Sequence, residues 1–142
     1  MNYSLNLLEI LGINISRELT REQRLPEERL FQAIILQAFE DALSDGEMKS
    51  DAYCKQDSYN WFSTIGQDFD TVCWFANFDP EIIRNKFNEL VRNKTIKYTK
   101  KQLKWLRYRY LYKQYRDATT KLERRKILSE IKSIEGLKKI KE

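Results

Sequence analysis

The chain contains few residues that turn the backbone or break a helix. Its 142 residues include only 4 Gly and 2 Pro, and 42% of them are hydrophobic, which is enough for a buried core. A fold of many short strands needs frequent turns, so this scarcity argues against a β-sandwich or β-barrel. We therefore predict an all-α fold, a compact multi-helix domain with a helical extension.

The charges are distributed unevenly along the sequence. Residues 1–93 hold nine Lys/Arg and sixteen Asp/Glu, whereas residues 94–142 hold seventeen Lys/Arg and five Asp/Glu. An acidic body therefore precedes a basic tail, with the change of sign near residues 93–98. We predict an acidic helical domain over 1–93 and a basic, aromatic helical extension over 94–142. A basic tail favours a partner with phosphates or an acidic protein surface.

The first half of the chain divides into four segments. Residues 2–11 predict a short apolar helix or an extended arm, and residues 14–25 predict a polar connection that can include one helical turn. Pro26 suits the first turn of a helix that we expect to end near residue 44, before Gly46. Its expected core residues are Leu30, Ile34, Leu36, Ala38 and Phe39, with Phe31 and Ile35 widening the apolar stripe. A further helix over 48–63 is expected to bury Tyr53, Trp61 and Phe62.

Helix caps place the remaining segments. We expect Asp68 to cap a short helix over 69–77, and Asp79 to cap the next helix, with Pro80 in its first turn. Thr99 begins a long basic helix over roughly 99–117. A last helix spans roughly 120–139 and is expected to break or fray at Gly136.

The stretch FDTVCWFANFDPEIIRNKF, residues 69–87, has the pattern of a helix-turn-helix unit. Such a unit packs a short helix steeply against a recognition helix through a turn of about three residues. Val72 and Ala76 would face the second helix, and Cys73 is a small residue for the contact. Asn77 stands where Gly is usual, and Asn tolerates a positive φ better than other non-Gly residues. A later apolar position falls on Lys86, so the register is imperfect. A structural corner without a ligand is the alternative interpretation.

The second helix of this unit would present polar side chains to solvent. Arg and Asn read guanine and adenine in the major groove, so we predict a nucleic-acid-binding face within 69–92. Its candidate residues are Arg84, Asn85, Lys86, Asn88 and Arg92. The prediction requires Arg84 and Asn85 to face solvent.

These segments resemble a pattern in small phage and prophage proteins, most of them uncharacterised. The resemblance covers roughly residues 29–92. It rests on RLFQAIILQAFEDAL (29–43), NWF (60–62) and the stretch from Phe69 to Phe87, with matching positions Trp61, Phe69, Val72, Cys73, Ala76, Asp79, Pro80, Ile83 and Arg84. Related segments occur near phage-type regulatory genes, including activators of gene transfer agents. The resemblance implies a helical, DNA-linked protein.

The basic tail allows three interpretations. Trp105, Tyr108, Tyr112 and Tyr115 recur at spacings of three and four. In the first interpretation, these aromatic residues are part of the core and the Lys and Arg residues form a solvated face. In the second, the cations contact phosphate oxygens, and the candidate residues are Lys100, Lys101, Lys104 and Arg107. In the third, the aromatic rings stack on single-stranded bases.

The last helix has an apolar side formed by Ile127, Ile131 and Ile134. This side can pair with helix 99–117 as an antiparallel hairpin. It can also pair with a second copy, giving a homodimer through 120–139.

Several classes of function are disfavoured. No Gly lies in a phosphate-binding loop, and two Cys without His cannot form a common zinc site, so we predict no cofactor and no metal. No nucleophile and base can be paired, so we predict no enzyme. The longest uncharged runs, residues 30–39 and 58–67, are far shorter than a membrane span. The paucity of Cys and the lack of a secretory leader predict a cytoplasmic location.

The sequence therefore predicts a DNA-binding protein, a phage-type transcription regulator that binds double-stranded DNA through a helix-turn-helix and a basic helix. The alternative is a protein-interaction module. Its basic hairpin would dock on an acidic partner such as RNA polymerase or another regulator, without reading bases.

Overall fold

The computed structural model describes the backbone of residues 5–141 and the side chains of residues 6–134. Within that stretch the chain forms helices and no strand, as the all-α prediction requires. The helices are α1 (Leu5–Leu11), α2 (Ile13–Leu19), α3 (Pro26–Leu43), α4 (Lys49–Ser63), α5 (Gln67–Phe75), α6 (Pro80–Arg92), α7 (Lys100–Asp117) and α8 (Lys121–Lys141).

The chain divides into two compact units. The first contains the described residues up to 44 together with 54–97, and the second contains 45–53 together with the residues from 98 onward. The division after residue 97 falls in the region where the charge changes sign. Residues 45–53, which we expected in the acidic domain, belong to the second unit.

Phe62 of α4 lies at the centre of the core of the first unit. Its ring centroid lies 4.6 Å from that of Phe39 on α3, 4.5 Å from Phe87 on α6 and 6.0 Å from Phe69 on α5. All four rings are buried. Aromatic pairs at such distances contribute about 0.5–1.5 kcal/mol beyond the burial of their area. One side chain therefore connects four helices.

The buried face of α3 differs from the predicted one. Leu30 and Ile34 were expected in the core, but they are 62% and 42% exposed, whereas Gln32 is fully buried. Gln32 Nε2 donates to the Ala76 carbonyl oxygen at 3.0 Å, and its Oε1 accepts from Arg24 Nη1 at 2.9 Å. These bonds make the burial of a polar amide tolerable. The apolar residues of α3 surround the helix, so their pattern does not define one inward face.

A second helix occupies part of the segment predicted to be a polar connection. It is α2, which buries Ile15 and Leu19. Gly12 separates α1 from α2 with a φ of 89°, a conformation that side chains disfavour. The Ser16 hydroxyl donates to the Leu8 carbonyl oxygen at 2.7 Å, which holds the corner between the two short helices.

The corner between α5 and α6 has the predicted backbone. Asn77 has a φ of 66°. The Phe78 amide donates to the Cys73 carbonyl oxygen and the Asn77 amide to that of Trp74, the two bonds of a Schellman motif. Asp79 then caps α6 by accepting from the Glu81 amide at 2.9 Å. The chain thus ends one helix and starts the next within four residues.

The predicted cap of α5 is wrong. The helix begins at Gln67 with Gly66 in the N-cap position. Asp68 lies inside the first turn and accepts a hydrogen bond from Trp61 Nε1 at 2.8 Å. Its carboxylate still complements the positive end of the helix dipole.

Lys55 of α4 is fully buried in the first unit. Its Nζ donates to the carbonyl oxygen of Ser44, which follows α3, at 2.8 Å, and to that of Lys97 at 2.5 Å. A buried ammonium group needs such acceptors, because desolvation without them is costly. Lys55 thus connects two chain segments that are distant in sequence.

The second unit is built on the hairpin of α7 and α8, which pack against each other. Thr99 caps α7 in a capping box, its hydroxyl accepting from the Gln102 amide at 3.1 Å while Gln102 Oε1 accepts from the Thr99 amide. Gln102 Nε2 also donates to the Gly46 carbonyl oxygen at 3.0 Å, so residues 45–53 pack on α7. The expected break at Gly136 is wrong, since α8 continues to Lys141.

Candidate nucleic-acid interface

Arg84 lies on α6 but points into the first unit. Its Nε donates to the Phe62 carbonyl oxygen at 3.3 Å, and its Cζ lies 4.6 Å from the centroid of the Phe69 ring. Its Nη2 is 3.6 Å from Asp70 Oδ1, and the side chain is only 25% exposed. The expectation that Arg84 faces solvent is wrong. The carbonyl at the end of α4 and the face of a ring on α5 both attract a planar cation.

Other candidates on α6 line a cavity. Asn85, Lys86 and Arg92 surround a volume of about 440 Å³, together with Gly12 and Ile13 of the α1–α2 corner. This corner therefore lies beside the face that was expected to enter the major groove. Asn88 is exposed.

The charges on this face of α6 are balanced. Lys86 Nζ lies 2.7 Å from Glu89 Oε2, and the hydrogen bond and charge of Lys86 lower the pKa of the Glu89 carboxyl. Glu81 is exposed at the start of the helix and Arg92 at its end. A helix that enters a groove between two phosphate backbones gains most of its affinity from an excess of cations. Without the inward-pointing Arg84, α6 presents Lys86 and Arg92 against Glu81 and Glu89, so its outer face has no such excess.

The α7 candidates form a different arrangement. Lys100, Lys104 and Arg107 are exposed, and their spacing of four and three residues places them on one side of the helix. We call these three residues the α7 stripe. Lys101 lies off the stripe and is half-buried, with its Nζ 3.5 Å from Glu47 Oε2.

One member of the α7 stripe has an acidic neighbour on α8. Arg107 Nη2 lies 2.9 Å from Glu130 Oε2, and the two side chains are 54% and 53% exposed. An ion pair this exposed contributes less than about 1 kcal/mol and is screened by salt. A phosphate can therefore displace the Glu130 carboxylate.

The aromatic residues of α7 serve mainly as packing. Trp105 is buried and its Nε1 donates to the Glu47 carbonyl oxygen at 3.0 Å. The Tyr108 ring contacts those of Trp105 and Tyr112 edge to face, at 5.5 Å and 4.8 Å. These contacts favour the core interpretation of the α7 aromatic residues over base stacking, because their rings pack against one another within the protein.

A second group of cations was missed in the sequence. Lys121, Arg125 and Lys132 are exposed on α8. Their spacing of four and seven residues places them on one side, away from the half-buried or buried Ile127, Ile131 and Ile134. The signal was present, since cations at helical spacing opposite an apolar side indicate a basic face. We call these three residues the α8 stripe.

The described part of the hairpin is strongly basic at its surface. Between residues 98 and 134, ten Lys and Arg side chains are exposed, against the three acidic side chains of Asp117, Glu123 and Glu130. Such an excess creates a positive potential that attracts polyanions.

Two features of the described side chains concern metal binding and cysteine reactivity. No group of three or more His, Cys, Asp or Glu among them could hold a metal ion. Burial, followed by the nearby Asp70 carboxylate, raises the pKa of the Cys73 thiol to about 12, so it stays protonated and is a poor nucleophile.

Comparison with known proteins gives no further assignment. No family model, curated protein or solved structure matches the chain. The resemblance to phage proteins therefore stays a prediction. Within residues 5–141, no helix has the length and apolar character needed to cross a bilayer.

Proposed function

We propose that this protein binds double-stranded DNA by its phosphate backbone, through the exposed cations of the α7–α8 hairpin. The observation that carries the proposal is the excess of ten exposed cations over three exposed carboxylates between residues 98 and 134. Contacts of this kind supply most of the affinity of sequence-independent binding. Regulation of transcription is the role that we propose for this binding, because the segments that this chain resembles occur near phage-type regulatory genes.

The α7 stripe is the proposed centre of the interface. From Lys100 to Arg107 the helix rises by about 10 Å, so three cations meet successive positions along one face. The capping box at Thr99 and Gln102 holds the first turn of the helix, and the buried Trp105 fixes the rotation of its middle. The cations are therefore presented by a rigid element.

Base readout by α6 is no longer part of the proposal. Arg84 is held by Phe62, Phe69 and Asp70, and the cavity lined by Asn85 and Arg92 adjoins the α1–α2 corner. Without a base-contacting side chain in a groove, we expect little discrimination between DNA sequences.

The proposal is tested by fluorescence anisotropy with a labelled 25-base-pair duplex of random sequence. Binding should weaken steeply between low and physiological salt. Replacing Lys100, Lys104 and Arg107 by Gln together should reduce the slope of log K against log salt by about 3, since each lost phosphate contact contributes about 0.9. The matched control is Arg29→Gln, an exposed cation on α3 of the first unit, which should leave the slope unchanged.

Two results would overturn the proposal. One is the absence of duplex binding at micromolar protein in low salt. The other is a loss of affinity for Arg29→Gln that equals, per charge removed, the loss for the α7 variant, which would indicate a response to net charge alone. Either result would favour the alternative, in which the hairpin docks on an acidic protein such as RNA polymerase or another regulator. The same titration with single-stranded DNA and with RNA tests whether the duplex is preferred.

A further inference from the structure

The first unit exposes a group of large apolar side chains that its own core does not need. Leu30 and Ile34 of α3 are 62% and 42% exposed, and Trp74 and Phe75 of α5 are 63% and 57% exposed. The Phe31 ring stacks on that of Phe75, with centroids 5.1 Å apart and planes at 23°. Because Phe31 neighbours Leu30 and Ile34, this stack joins the two helices into one surface. We call these five residues the aromatic patch.

An apolar surface of this kind needs an explanation. Single exposed apolar residues are normal, but a contiguous group marks an interaction site more often than not. Trp is also the side chain most enriched among residues that dominate binding energy. The packing of α3 explains why the patch exists, since Gln32 turns the opposite face of that helix into the core.

The sequence of α3 indicates what shape of partner fits. Glu27, Leu30, Ile34, Gln37 and Asp41 follow one another at spacings of three, four, three and four residues, and all are exposed or half-buried. This is the spacing by which one helix packs along another. The stripe spans about 21 Å, the length of about four helical turns. A partner helix of roughly 14 residues would therefore match it.

The charges around the patch indicate the chemistry of that partner. Glu27 and Asp41 lie at the two ends of the α3 stripe. Asp41 accepts from Gln37 Nε2 at 3.0 Å, so it retains acceptor capacity as a carboxylate. Arg29 immediately precedes Leu30 and so lies about 100° around the helix from it, outside the stripe. The aromatic patch is thus flanked by an acidic side chain at each end of the α3 stripe.

We propose that the aromatic patch is a docking site for a basic amphipathic helix of another protein. The apolar side of that helix would cover Phe31, Ile34 and Trp74, and its Lys or Arg residues would reach Glu27 and Asp41. Electrostatic complementarity of this kind sets partner choice and speeds association.

Two other occupants fit less well. A symmetric pair of copies would place the same patch on itself, so the acidic ends of one copy would meet those of the other. An anionic membrane surface would repel the same carboxylates. A positively charged helix is the occupant that satisfies both the apolar centre and the acidic ends.

The test uses a fluorescein-labelled, amidated 18-residue peptide of Leu and Lys in an amphipathic helical pattern, without Trp. Its counterpart carries Glu in place of each Lys. We expect saturable binding of the Lys peptide to the full chain and at least tenfold weaker binding of the Glu peptide. Emission from Trp74 should shift to shorter wavelength on binding, and Trp74→Phe should abolish most of that shift while the anisotropy change persists.

Substitutions then locate the site. Leu30→Ser with Ile34→Ser should weaken binding at least tenfold, and Glu27→Gln with Asp41→Asn should weaken it several-fold at low salt. Because these side chains lie at the surface, circular dichroism should confirm an unchanged helix content. The matched control is Ile65→Ser, an apolar residue that is 90% exposed between α4 and α5, and it should bind as the parent chain does.

The proposal fails if the Lys peptide does not bind, if the Glu peptide binds equally well, or if Leu30→Ser with Ile34→Ser binds as tightly as Ile65→Ser. It also fails if sedimentation shows a dimer that Ile34→Ser dissociates and that excludes the peptide, since the occupant would then be a second copy. The experiment contains no DNA, so its outcome is independent of the proposed function of the hairpin.

Discussion

Replacing Arg84 distinguishes a base-reading residue from a packing residue. In the structure its guanidinium lies over the Phe69 ring and donates a hydrogen bond to the Phe62 carbonyl oxygen. A partly buried cation–π contact contributes about 1 kcal/mol, and a hydrogen bond to a helix-terminal carbonyl contributes about another 1 kcal/mol. The ion pair with Asp70 spans 3.6 Å and is half exposed on the acidic side, so its contribution is small.

We therefore expect Arg84→Ala to lower the free energy of unfolding by about 2 kcal/mol. Arg84→Lys should recover less than half of the lost free energy, because an ammonium group lacks the planar guanidinium that stacks on a ring and donates from several nitrogens. The matched control is Arg92→Ala, an exposed cation on the same helix, which should change stability by less than about 0.5 kcal/mol.

Urea denaturation followed by Trp fluorescence and by far-ultraviolet circular dichroism measures both changes. The same variants are then compared for binding to several duplex sequences. If Arg84→Ala unfolds at the same urea concentration as the parent chain but loses discrimination between DNA sites, the packing role is refuted. The residue would then read bases, as the sequence alone had indicated.

Four further changes test other parts of the structure. Glu130→Gln should raise affinity for duplex DNA and steepen its salt dependence, because it releases Arg107; unchanged binding would remove Arg107 from the interface. Asn77→Gly should change the free energy of unfolding by less than about 0.5 kcal/mol, whereas Asn77→Val should lower it by about 1–2 kcal/mol, because Asn77 has a φ of 66°. Equal melting curves for the two variants would contradict the left-handed turn. Lys55→Met should cost about 2–4 kcal/mol in urea denaturation, because two carbonyl oxygens lose a charged donor, and a neutral effect would show that water replaces it. The pKa of Cys73 is raised to about 12, so the fold favours the neutral thiol. That stabilisation is complete below about pH 8.5, the ordinary thiol pKa, and is lost as the pH rises towards 12. The free energy of unfolding of the parent chain relative to Cys73→Ala should therefore decrease by up to about 1.4 kcal/mol per pH unit above about pH 8.5. A difference that stays constant with pH would refute the raised pKa.

The sequence by itself determined the helical class and most helix boundaries. The scarcity of Gly and Pro removes most turns, and local signals such as Thr99 with Gln102 or Asp79 with Pro80 act within one helical turn. Asn77 is another such signal, since its tolerance of positive φ is a property of the residue itself. The basic character of α7 and α8 also follows from the sequence, because most Lys and Arg side chains are exposed in folded proteins.

Only the tertiary structure decided which side chains face inward. Arg84 and Asn85 are neighbours on the amphipathic helix α6, and no local signal shows that Arg84 contacts the Phe69 ring of α5 and the Phe62 carbonyl oxygen of α4. In the same way, α3 is apolar on several sides, so the burial of Gln32 and the exposure of Ile34 depend on where α5 packs. The inward face of α3 and the inward direction of Arg84 are set by contacts between segments that are distant in sequence, and helical periodicity does not specify those contacts.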